Sequence, residues 1–448
     1  GSPPAGRSST RAPTGEEAAD TPPCRAFWSQ AARLLAALPA KPRRSPAEQA
    51  AAAALLAAGN AARDAWLGLH AAGLYAAITG GMTRFLGVEA IAEAAAARVP
   101  GLVPTPAEVA RESALDQKSK DGIEIAQGLL FSRILADLRC GLHLCHAGLL
   151  PLPESAENAA RFARDGVLDL GAARLERHGR VVHLANAHPR VLNAEDDGSI
   201  LATERAIDVA TLDAGSDIAV FRGGVVEHPK YAGRRIFGAG INLTHLYRGR
   251  IPFLWFVRRE LGWVHKLLRG VARPEALPDD VTGAGIEKPW VAAVEAFAIG
   301  GHCQALLCMD YILAASDAYL TLPARKEGII PGLANLRLPR FTGDRIARQA
   351  IQYERPIPCD SPEGRLICDE IVPQGEMDAA IARVCGNLSS AGAVGAVGNR
   401  RALRVGAEPL DLFRRYLAVY AREQALCHFS PALIDNLERN WDAARRWV

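Results

Sequence analysis

Two adjacent glycines interrupt the most apolar stretch of the chain, AFAIGGHCQALLCMDYILAA, residues 296–315. Glycine weakens the interior of a strand or a helix, so its place here needs a reason. The pattern predicts a buried strand, Trp290–Ile299, then Gly300 and Gly301, and then a helix. The first N–H groups of a helix lack partners within it, and glycine lets a ligand approach them closely. The junction therefore offers an N–H to a developing negative charge; the simpler alternative is a tight turn.

A second glycine-bearing junction has the same design. In RRIFGAGINL, Gly238, Ala239 and Gly240 follow an apolar strand that is predicted to end at Phe237, and a helix-like run comes next. Two strand ends of this kind supply two convergent N–H groups, which is what an oxyanion hole requires.

The elements that carry these junctions lie in the middle of the chain. From about residue 173 to 345, strands alternate with helices: two short strands around a His-Gly turn, a helix over 200–212 and a strand over 217–222. This alternation predicts βαβ units and a mostly parallel sheet. The core is thus an α/β domain.

Helical segments flank this core. Residues 1–25 are rich in Pro, Ser and Ala and predict a disordered start. Residues 26–172 predict a separate α-helical domain, with capping boxes at Ser45 and Thr105. Residues 346–448 predict a helical region whose amphipathic segment, LDLFRRYLAVYAREQALCHF, packs on a neighbouring subunit.

Composition narrows the class of protein. With 448 residues and a net charge of +3, the charge of the whole molecule gives no strong case for binding nucleic acid or an anionic membrane. Nine scattered cysteines do not form a secreted disulfide framework, so we expect a reducing cytoplasm. No apolar run is long enough to predict a membrane span.

Three motifs, in the right order, give the segment from about residue 180 to 373 a family resemblance. They are NAHPRVLNA (186–194), FGAGINL (237–243) and EKPWVAAVEAFAIGGHCQALLCMDYILAASDAYLTLPARKEGIIPG (287–332). The segment resembles the crotonase, or enoyl-CoA hydratase/isomerase, superfamily. The resemblance implies a ββα superhelix, here with an added N-terminal helical domain, and C-terminal helices that build trimers or dimers of trimers.

The resemblance also assigns roles to residues. It implies that the N–H groups of Ile241 and Gly301 hold the thioester oxygen of an acyl-CoA as an enolate. The turn with Arg190 and Leu192, which wraps the CoA moiety in the family, is a predicted CoA-binding segment. Ala239 and Gly240, in the first oxyanion segment, are predicted to contact the substrate as well.

Departures from the family pattern argue against hydration. Hydratases of the family carry a Glu three residues after the oxyanion glycine and another after the Pro of the FxxPE motif. Here these positions are Gln304 and Ala324, and neither side chain serves as a carboxylate base. The AGAD motif has also become AGIN, with Asn242.

A narrower group matches nearly the whole chain beyond its start. The helical N-terminal segment together with LNAEDD, FGAGINLTHLYRGRIPF, RRELGWVHKLLRG and GGHCQ resembles the cofactor-independent 3,5-dihydroxyphenylacetyl-CoA 1,2-dioxygenases of vancomycin-type glycopeptide antibiotic biosynthesis. This implies that O₂ is a co-substrate, that no metal or organic cofactor is needed, and that the products are 3,5-dihydroxyphenylglyoxylate and CoA.

Polar residues near the motifs are candidates for this chemistry. Arg259 is the first choice for a charged active-site residue and Arg258 the second; the alternative for both is a solvated arginine. Glu195 follows the LNA turn, which lies near the acyl group in the family, and its alternative is simple exposure. Gln304 is predicted to bind a ring hydroxyl or a peroxide, and its alternative is a helix-capping amide.

The sequence gives weaker support to other classes of site and activity. The segment CGLHLCH holds Cys140, His143, Cys145 and His146, but on a continuous helix Cys145 points away from the first two, so no metal site is predicted. No glycine fingerprint for a dinucleotide is present. The alternatives are an enoyl-CoA hydratase or isomerase, an arylacetyl-CoA thioesterase and, without catalysis, a CoA-binding assembly protein.

Overall fold

Helices occupy both ends of the chain and the strands lie between them. A computed structural model describes residues 14–278, 285–390 and 392–446. The α-helices of these residues are α1 Glu17–Ala36, α2 Pro46–Ile78, α3 Val88–Arg98, α4 Pro106–Ser113, α5 Ile125–Ala136, α6 Leu138–Leu149, α7 Ser155–Asp165, α8 Ile200–Leu212, α9 Leu243–Tyr247, α10 Phe253–Leu261, α11 Trp263–Arg269, α12 Gly301–Leu306, α13 Ala324–Glu327, α14 Ala334–Gln352, α15 Met377–Ser390, α16 Ala393–Ala407, α17 Leu410–His428 and α18 Pro431–Trp441. The β-strands are β1 Val167–Asp169, β2 Ala173–His178, β3 Val181–Asn186, β4 Ile218–Gly223, β5 Trp290–Val294, β6 Phe297–Ile299, β7 Tyr311–Ala315, β8 Tyr319–Thr321, β9 Ile357–Pro358 and β10 Glu370–Val372.

A seven-stranded sheet forms the centre of the fold, in the order β1-β2-β3-β4-β5-β7-β10. The first three strands are antiparallel, and from β3 to β10 every pair is parallel. The predicted hairpin and the helix over 200–212 are confirmed, as is the mostly parallel pairing. Strands β4, β5 and β7 are apolar and almost wholly buried, as expected where helices cover both faces of a parallel sheet.

Two strand predictions are wrong. The predicted strand Trp290–Ile299 breaks after Val294: β5 stays in the large sheet, whereas β6 joins a second sheet in the order β6-β8-β9. The segment ending at Phe237 forms only isolated bridges. The sequence could not show either, because a continuous apolar run does not reveal which partner strand each half will find.

The N-terminal segment is ordered earlier than predicted. Both capping boxes are confirmed, at Ser45 and at Thr105. The predicted disordered start over 1–25 is wrong from residue 17 on, where α1 begins, and its residues 1–13 lie outside the described residues. Trp28 is 1% exposed, and Asp20 accepts hydrogen bonds from Thr14 and pairs with His70 on α2. Tertiary contacts thus overrode a composition typical of disorder.

The helical ends of the chain share one core with the sheet. A continuous cluster of buried apolar side chains runs from Trp28 to Ala443, so the N-terminal helices have no separate core. Helix α17 packs along α5 so closely that a Cβ at Gly128 would lie 2.4 Å from the Cβ of Ala425. The amphipathic C-terminal segment therefore buries its apolar face within its own chain.

No single helix of the described residues has both the length and the apolar character to cross a membrane. Within the described residues, α15 and α16 have the required length and apolar character only when they are taken together, and that pair is bent by 92°.

Candidate active site

The two glycine-bearing junctions meet in the fold. Gly238 pairs with Ala298 in a parallel bridge, and the N–H of Ile299 donates to the Gly238 carbonyl at 3.0 Å. Gly240 has a φ of +79°, and a Cβ there would lie 2.9 Å from the carbonyl oxygen of Ile299 and 3.4 Å from the nitrogen of Gly301. Only glycine allows the two backbones to approach this closely.

Both predicted oxyanion donors are free. Ile241 forms a bridge with Glu195, but the bonds of that bridge use its neighbours: Glu195 N–H donates to Gly240 at 2.7 Å and Asn242 N–H donates to Glu195 at 2.7 Å. Within the described residues, neither the Ile241 N–H nor the Gly301 N–H donates a hydrogen bond. Buried N–H groups are nearly always paired, so two free donors side by side indicate a binding function.

Arg259 joins the site from α10. Its guanidinium binds Glu195 through two parallel hydrogen bonds, and it also donates to Glu260 at 2.6 Å and to the Gly301 carbonyl at 2.7 Å. It lies 4.7 Å from the ring centre of Trp263 and is 2% exposed. The arginine is therefore a fixed cation beneath the second oxyanion junction.

The carboxylate partner is held in its charged form. Burial by itself would raise the pKa of Glu195, but Arg259 and, less strongly, His302 outweigh it, and the pKa is lowered. Burial raises the pKa of Glu260, although Arg259 opposes that effect. A Cβ at Gly301 would lie 2.4 Å from Glu195 Oε1, so this pair also explains why residue 301 is glycine.

A cavity of about 30 Å³ lies at this junction. Its volume suits one or two water-sized molecules, so a larger ligand requires the lining side chains to move. Its lining includes every residue predicted to be catalytic, namely Glu195, Ile241, Arg259, Gly301 and Gln304.

Gln304 presents its amide nitrogen to the cavity. Its Oε1 accepts a hydrogen bond from Arg259 at 3.0 Å, which fixes the orientation of the amide. No acceptor for its Nε2 occurs in the described parts of the chain, and the residue is not a helix cap. Gln304 thus offers a donor to an oxygen atom of a ligand.

Other predicted residues lie outside the cavity. Arg258 is half-buried, pairs with Glu89 at 3.2 Å and lines a different hollow, so Arg259 alone of the two reaches the site. Arg190 has an 88% exposed side chain. Leu192 accepts a hydrogen bond from the Ala239 N–H at 3.2 Å, which ties the predicted CoA-binding turn to the first oxyanion segment.

Several residues of the site were missed by sequence reasoning. His302 contacts the Gly240 N–H through Nδ1 at 3.2 Å and pairs with Asn186, and so supports the first oxyanion segment; its pKa is lowered to about 4, chiefly by burial. The position of His302 within the motif GGHCQ was the signal in the sequence that could have identified it. Some of the other missed cavity residues lie within the quoted motifs, but nothing in the sequence assigned them a role; they are Trp255, Phe256, Glu260, Leu322, Glu327, Ile329, Ile330, Pro331, Gly332 and Tyr420.

One cluster of the described residues has the spacing of a cation site, Asp196, Asp197 and His245. Its oxygens already serve the fold: Asp196 accepts hydrogen bonds from the backbone of Ser199 and the amide of Asn242, and Asp197 pairs with His245 at 2.8 Å. A satisfied turn of this kind needs no metal. The segment of Cys140 and His143 forms the continuous helix α6, as predicted.

Comparison with known proteins decides the family. The chain is 46% identical over 394 residues to the (3,5-dihydroxyphenyl)acetyl-CoA 1,2-dioxygenase of Amycolatopsis orientalis, covering 88% of this chain and 89% of that protein. Residues 282–408 match the enoyl-CoA hydratase/isomerase family model. The chain belongs to the crotonase family. A more distant member, the crotonyl-CoA hydratase of Syntrophomonas wolfei subsp. wolfei, is 26% identical over 220 residues, 49% of this chain and 75% of that protein.

Solved structures of crotonase-family proteins are also similar. An enoyl-CoA hydratase from Mycobacterium avium subsp. paratuberculosis K-10 is 18% identical with a TM-score of 0.49, covering 62% of this chain and 98% of that one. An enoyl-CoA hydratase from Bacillus halodurans is 16% identical with a TM-score of 0.49, covering 60% of this chain and 99% of that one.

Proposed function

We propose that this crotonase-family protein is a dioxygenase that converts 3,5-dihydroxyphenylacetyl-CoA and O₂ to 3,5-dihydroxyphenylglyoxylate and CoA. The observation that carries the proposal is the pair of free N–H donors, Ile241 and Gly301, in a cavity whose Gln304 and Ala324 supply no acid–base carboxylate. The relative from Amycolatopsis orientalis supports the substrate.

The donors serve the first step. The α-carbon of an arylacetyl thioester is acidified by both its ring and its thioester. When the α-proton leaves, negative charge develops on the thioester oxygen, and the N–H groups of Ile241 and Gly301 stabilise it as an enolate. Fixed donors of this kind do not have to reorient as the charge appears, which lowers the barrier.

Oxygen then reacts with the enolate. The electron-rich carbanion passes an electron to O₂, and the resulting pair combines to a peroxide at the α-carbon. The peroxide closes on the thioester carbonyl and expels CoA. Loss of the second α-proton breaks the O–O bond and leaves the ketone of an α-keto acid. The two hydrogens of the α-carbon end on the CoA thiol and the carboxyl group, so the equation balances.

Arg259 and Gln304 have places in this sequence. The buried cation lies beneath the junction that holds the enolate, where it stabilises superoxide or peroxide as charge moves onto oxygen. The free amide N–H of Gln304 donates to a peroxide or a ring hydroxyl. The apolar lining of Trp255, Phe256 and Ile330 keeps water from the reactive carbanion.

We further propose that catalysis needs neither a metal nor an organic cofactor, because the substrate carbanion itself reduces O₂. Activity should survive dialysis against a chelator, and loss of activity that iron restores would overturn this.

The remaining parts of the proposal are that the protein acts in the cytoplasm, in antibiotic biosynthesis, and as a homotrimer or a dimer of trimers. The nine cysteines, all free thiols, fit a reducing compartment.

The test combines three readouts on one reaction. With 3,5-dihydroxyphenylacetyl-CoA in air, the protein should consume O₂ and release CoA in equal amounts. Under ¹⁸O₂ the keto acid should gain two heavy oxygens, since both atoms of the peroxide are retained. Release of CoA without O₂ uptake would indicate a thioesterase, turnover of crotonyl-CoA a hydratase, and binding without turnover an assembly protein.

A further inference from the structure

One carboxyl group in the candidate site has no partner. Glu327 is the last residue of α13 and is 8% exposed, and it lines the same cavity as Ile241 and Gly301. In the described parts of the chain its side chain forms neither a hydrogen bond nor an ion pair. A buried carboxyl group without a partner is costly, so its place against a reactive cavity calls for a function.

The other groups of the cavity are unsuited to accept a proton. Arg259 binds both oxygens of Glu195 and Oε1 of Glu260, so each of these carboxylates is paired with a cation, although Oε2 of Glu260 has no partner within the described residues. Burial raises the pKa of the Tyr420 phenol well above its usual value, so it stays protonated. Gln304 and Ala324 have no basic group. This leaves Glu327 as the carboxylate of the cavity that is free to react.

We propose that Glu327 is the general base that removes the α-proton of the acyl-CoA substrate, an assignment that rests on the proposed function. In the first step the Cα–H bond breaks, the proton binds the Glu327 carboxylate, and the electron pair moves into the enolate held by Ile241 and Gly301. Glu327 then protonates the departing CoA thiolate. The restored carboxylate takes the second α-proton as the O–O bond of the peroxide breaks, and it passes that proton to the carboxylate of the keto acid, which regenerates the base.

The surroundings make Glu327 a stronger base than an ordinary glutamate. Burial first, and then the charge of Glu354, raise its pKa to about 8. Glu354 follows α14 and is itself paired with Lys326 at 2.9 Å and Arg325 at 3.5 Å. Asn436 of α18, which lies against Gly328, is uncharged. The remaining charged or titratable groups of the cavity wall are Glu195, Arg259, Glu260 and Tyr420. A base whose pKa is near the working pH is well matched to proton abstraction.

The decisive experiment separates proton removal from oxidation. The protein is incubated with 3,5-dihydroxyphenylacetyl-CoA in D₂O without O₂, and α-deuterium incorporation is followed by mass spectrometry. Glu327→Gln should slow this exchange by about 10²-fold or more, because general base catalysis typically contributes 10²–10⁴. Since glutamine resembles the protonated carboxyl group, the variant should fold, which circular dichroism checks. Thioester binding should persist.

Glu354→Gln is the matched control, because it removes a neighbouring buried carboxylate that does not line the cavity. Its maximal rate of exchange should stay close to that of the wild type, because burial and not Glu354 is the larger cause of the raised pKa. Exchange requires ionised Glu327 and so increases with pH; without the charge of Glu354 the midpoint of this increase should move to lower pH. A structural role for Glu327 predicts no such shift.

The outcomes distinguish the two proposals. If α-deuterium exchange depends on Glu327 but the protein takes up no O₂ in air, the assignment of Glu327 as the base stands and the proposed dioxygenase activity is wrong. If the protein takes up O₂ but Glu327→Gln exchanges the α-proton at the wild-type rate, the dioxygenase proposal stands and the assignment of Glu327 as the base is wrong. If Glu327→Gln does not fold, the pH midpoint in Glu354→Gln decides, and an unchanged midpoint overturns the assignment.

Discussion

Arg259 is the residue on which most contacts of the candidate site converge. It binds Glu195 in a bidentate pair, contacts Glu260 and Gln304, and donates to the carbonyl of Gly301. A lysine would keep the charge but lose the planar arrangement of donors that makes these bonds simultaneous. Arg259 therefore orients groups on both sides of the cavity besides supplying its charge.

We expect Arg259→Lys to lower kcat for O₂ uptake by roughly 10–100-fold, because one ammonium group cannot replace this network. Arg258→Lys is the matched control, since that side chain lies outside the cavity, and it should retain most activity. Steady-state kinetics with an oxygen electrode measures both. The opposite ranking would transfer the role to Arg258.

Backbone donors require a different kind of variant. Proline at residue 301 would place a Cβ against Glu195, so Ile241 is the better position. Ile241→Pro removes the free N–H and leaves both bonds of the bridge with Glu195 available. The loss of one oxyanion donor should cost about 2.7–4 kcal/mol of transition-state stabilisation.

Ile241→Val is the control, because it keeps the N–H and most of the buried side chain. Comparison of kcat/KM for the two variants, after both are shown to be folded, measures the effect of the donor. Near-normal turnover by folded Ile241→Pro would remove the oxyanion hole from the mechanism.

At the scale of elements, the contact between α5 and α17 ties the two helical ends of the chain together. A Cβ at Gly128 would meet Ala425 at 2.4 Å and the carbonyl oxygen of Ala421 at 2.8 Å. Gly128→Ala should therefore force the helices apart and cost about 1–3 kcal/mol of unfolding free energy. Gly73→Ala, at an exposed position of α2 with nothing within 4 Å, should instead stabilise by about 0.5–1 kcal/mol. Urea denaturation compares them.

Another link between elements makes stability depend on pH. Arg337 of α14 and Glu408, which follows α16, are fully buried and joined by two hydrogen bonds of 2.9 and 2.8 Å. Burial opposes ionisation, but Arg337 and Arg340 outweigh it and lower the pKa of Glu408 to about 2. The Glu408 carboxylate thus stabilises the fold at pH values above the pKa that this group has in the unfolded chain. This contribution is lost as the pH falls toward 2.

Glu408→Gln should cost roughly 3–5 kcal/mol near neutral pH, because it leaves Arg337 buried without its charged partner. Its stability should also fall less steeply than that of the wild type between pH 5 and 2. Asp344→Asn, which removes an exposed pair with Arg348, should change stability by less than about 1 kcal/mol. Chemical denaturation across the pH range measures all three proteins, and equal slopes would contradict the prediction.

At the scale of the whole molecule, the assembly remains a prediction. Helix α17 buries one face within its own chain but leaves Leu412, Val419 and Leu426 exposed. Since the apolar side chains of α16 are more exposed still, they are the better candidates for a subunit contact. Val394 is 88% exposed and Val405 66%, and the two lie about three helical turns apart on one side of α16.

We expect sedimentation to give three or six times the 47.8 kDa mass of the chain. Replacing both Val394 and Val405 by Lys should dissociate the assembly, whereas Leu69→Lys on the exposed face of α2 should leave it intact. A monomeric wild-type protein at micromolar concentration would contradict the predicted trimer or hexamer.

The sequence by itself determined the features that depend on neighbouring residues. Capping boxes at Ser45 and Thr105, the alternation of strands and helices, and the glycine junctions around Gly240 and Gly301 all follow from local backbone chemistry. The family resemblance of the motifs pointed to Gln304 and to Arg259, with Arg258 as the second choice.

Only the tertiary structure decided which distant groups meet. Arg259 and Glu195 are 64 residues apart in sequence, and their pairing depends on how α10 lies beneath the second junction. Burial likewise comes from distant elements: it ordered α1, placed α17 on α5, and left Glu327 facing the cavity without a partner. A carboxyl group in a short polar stretch gives no sign of burial in the sequence, because the residues that exclude water from it belong to other parts of the chain.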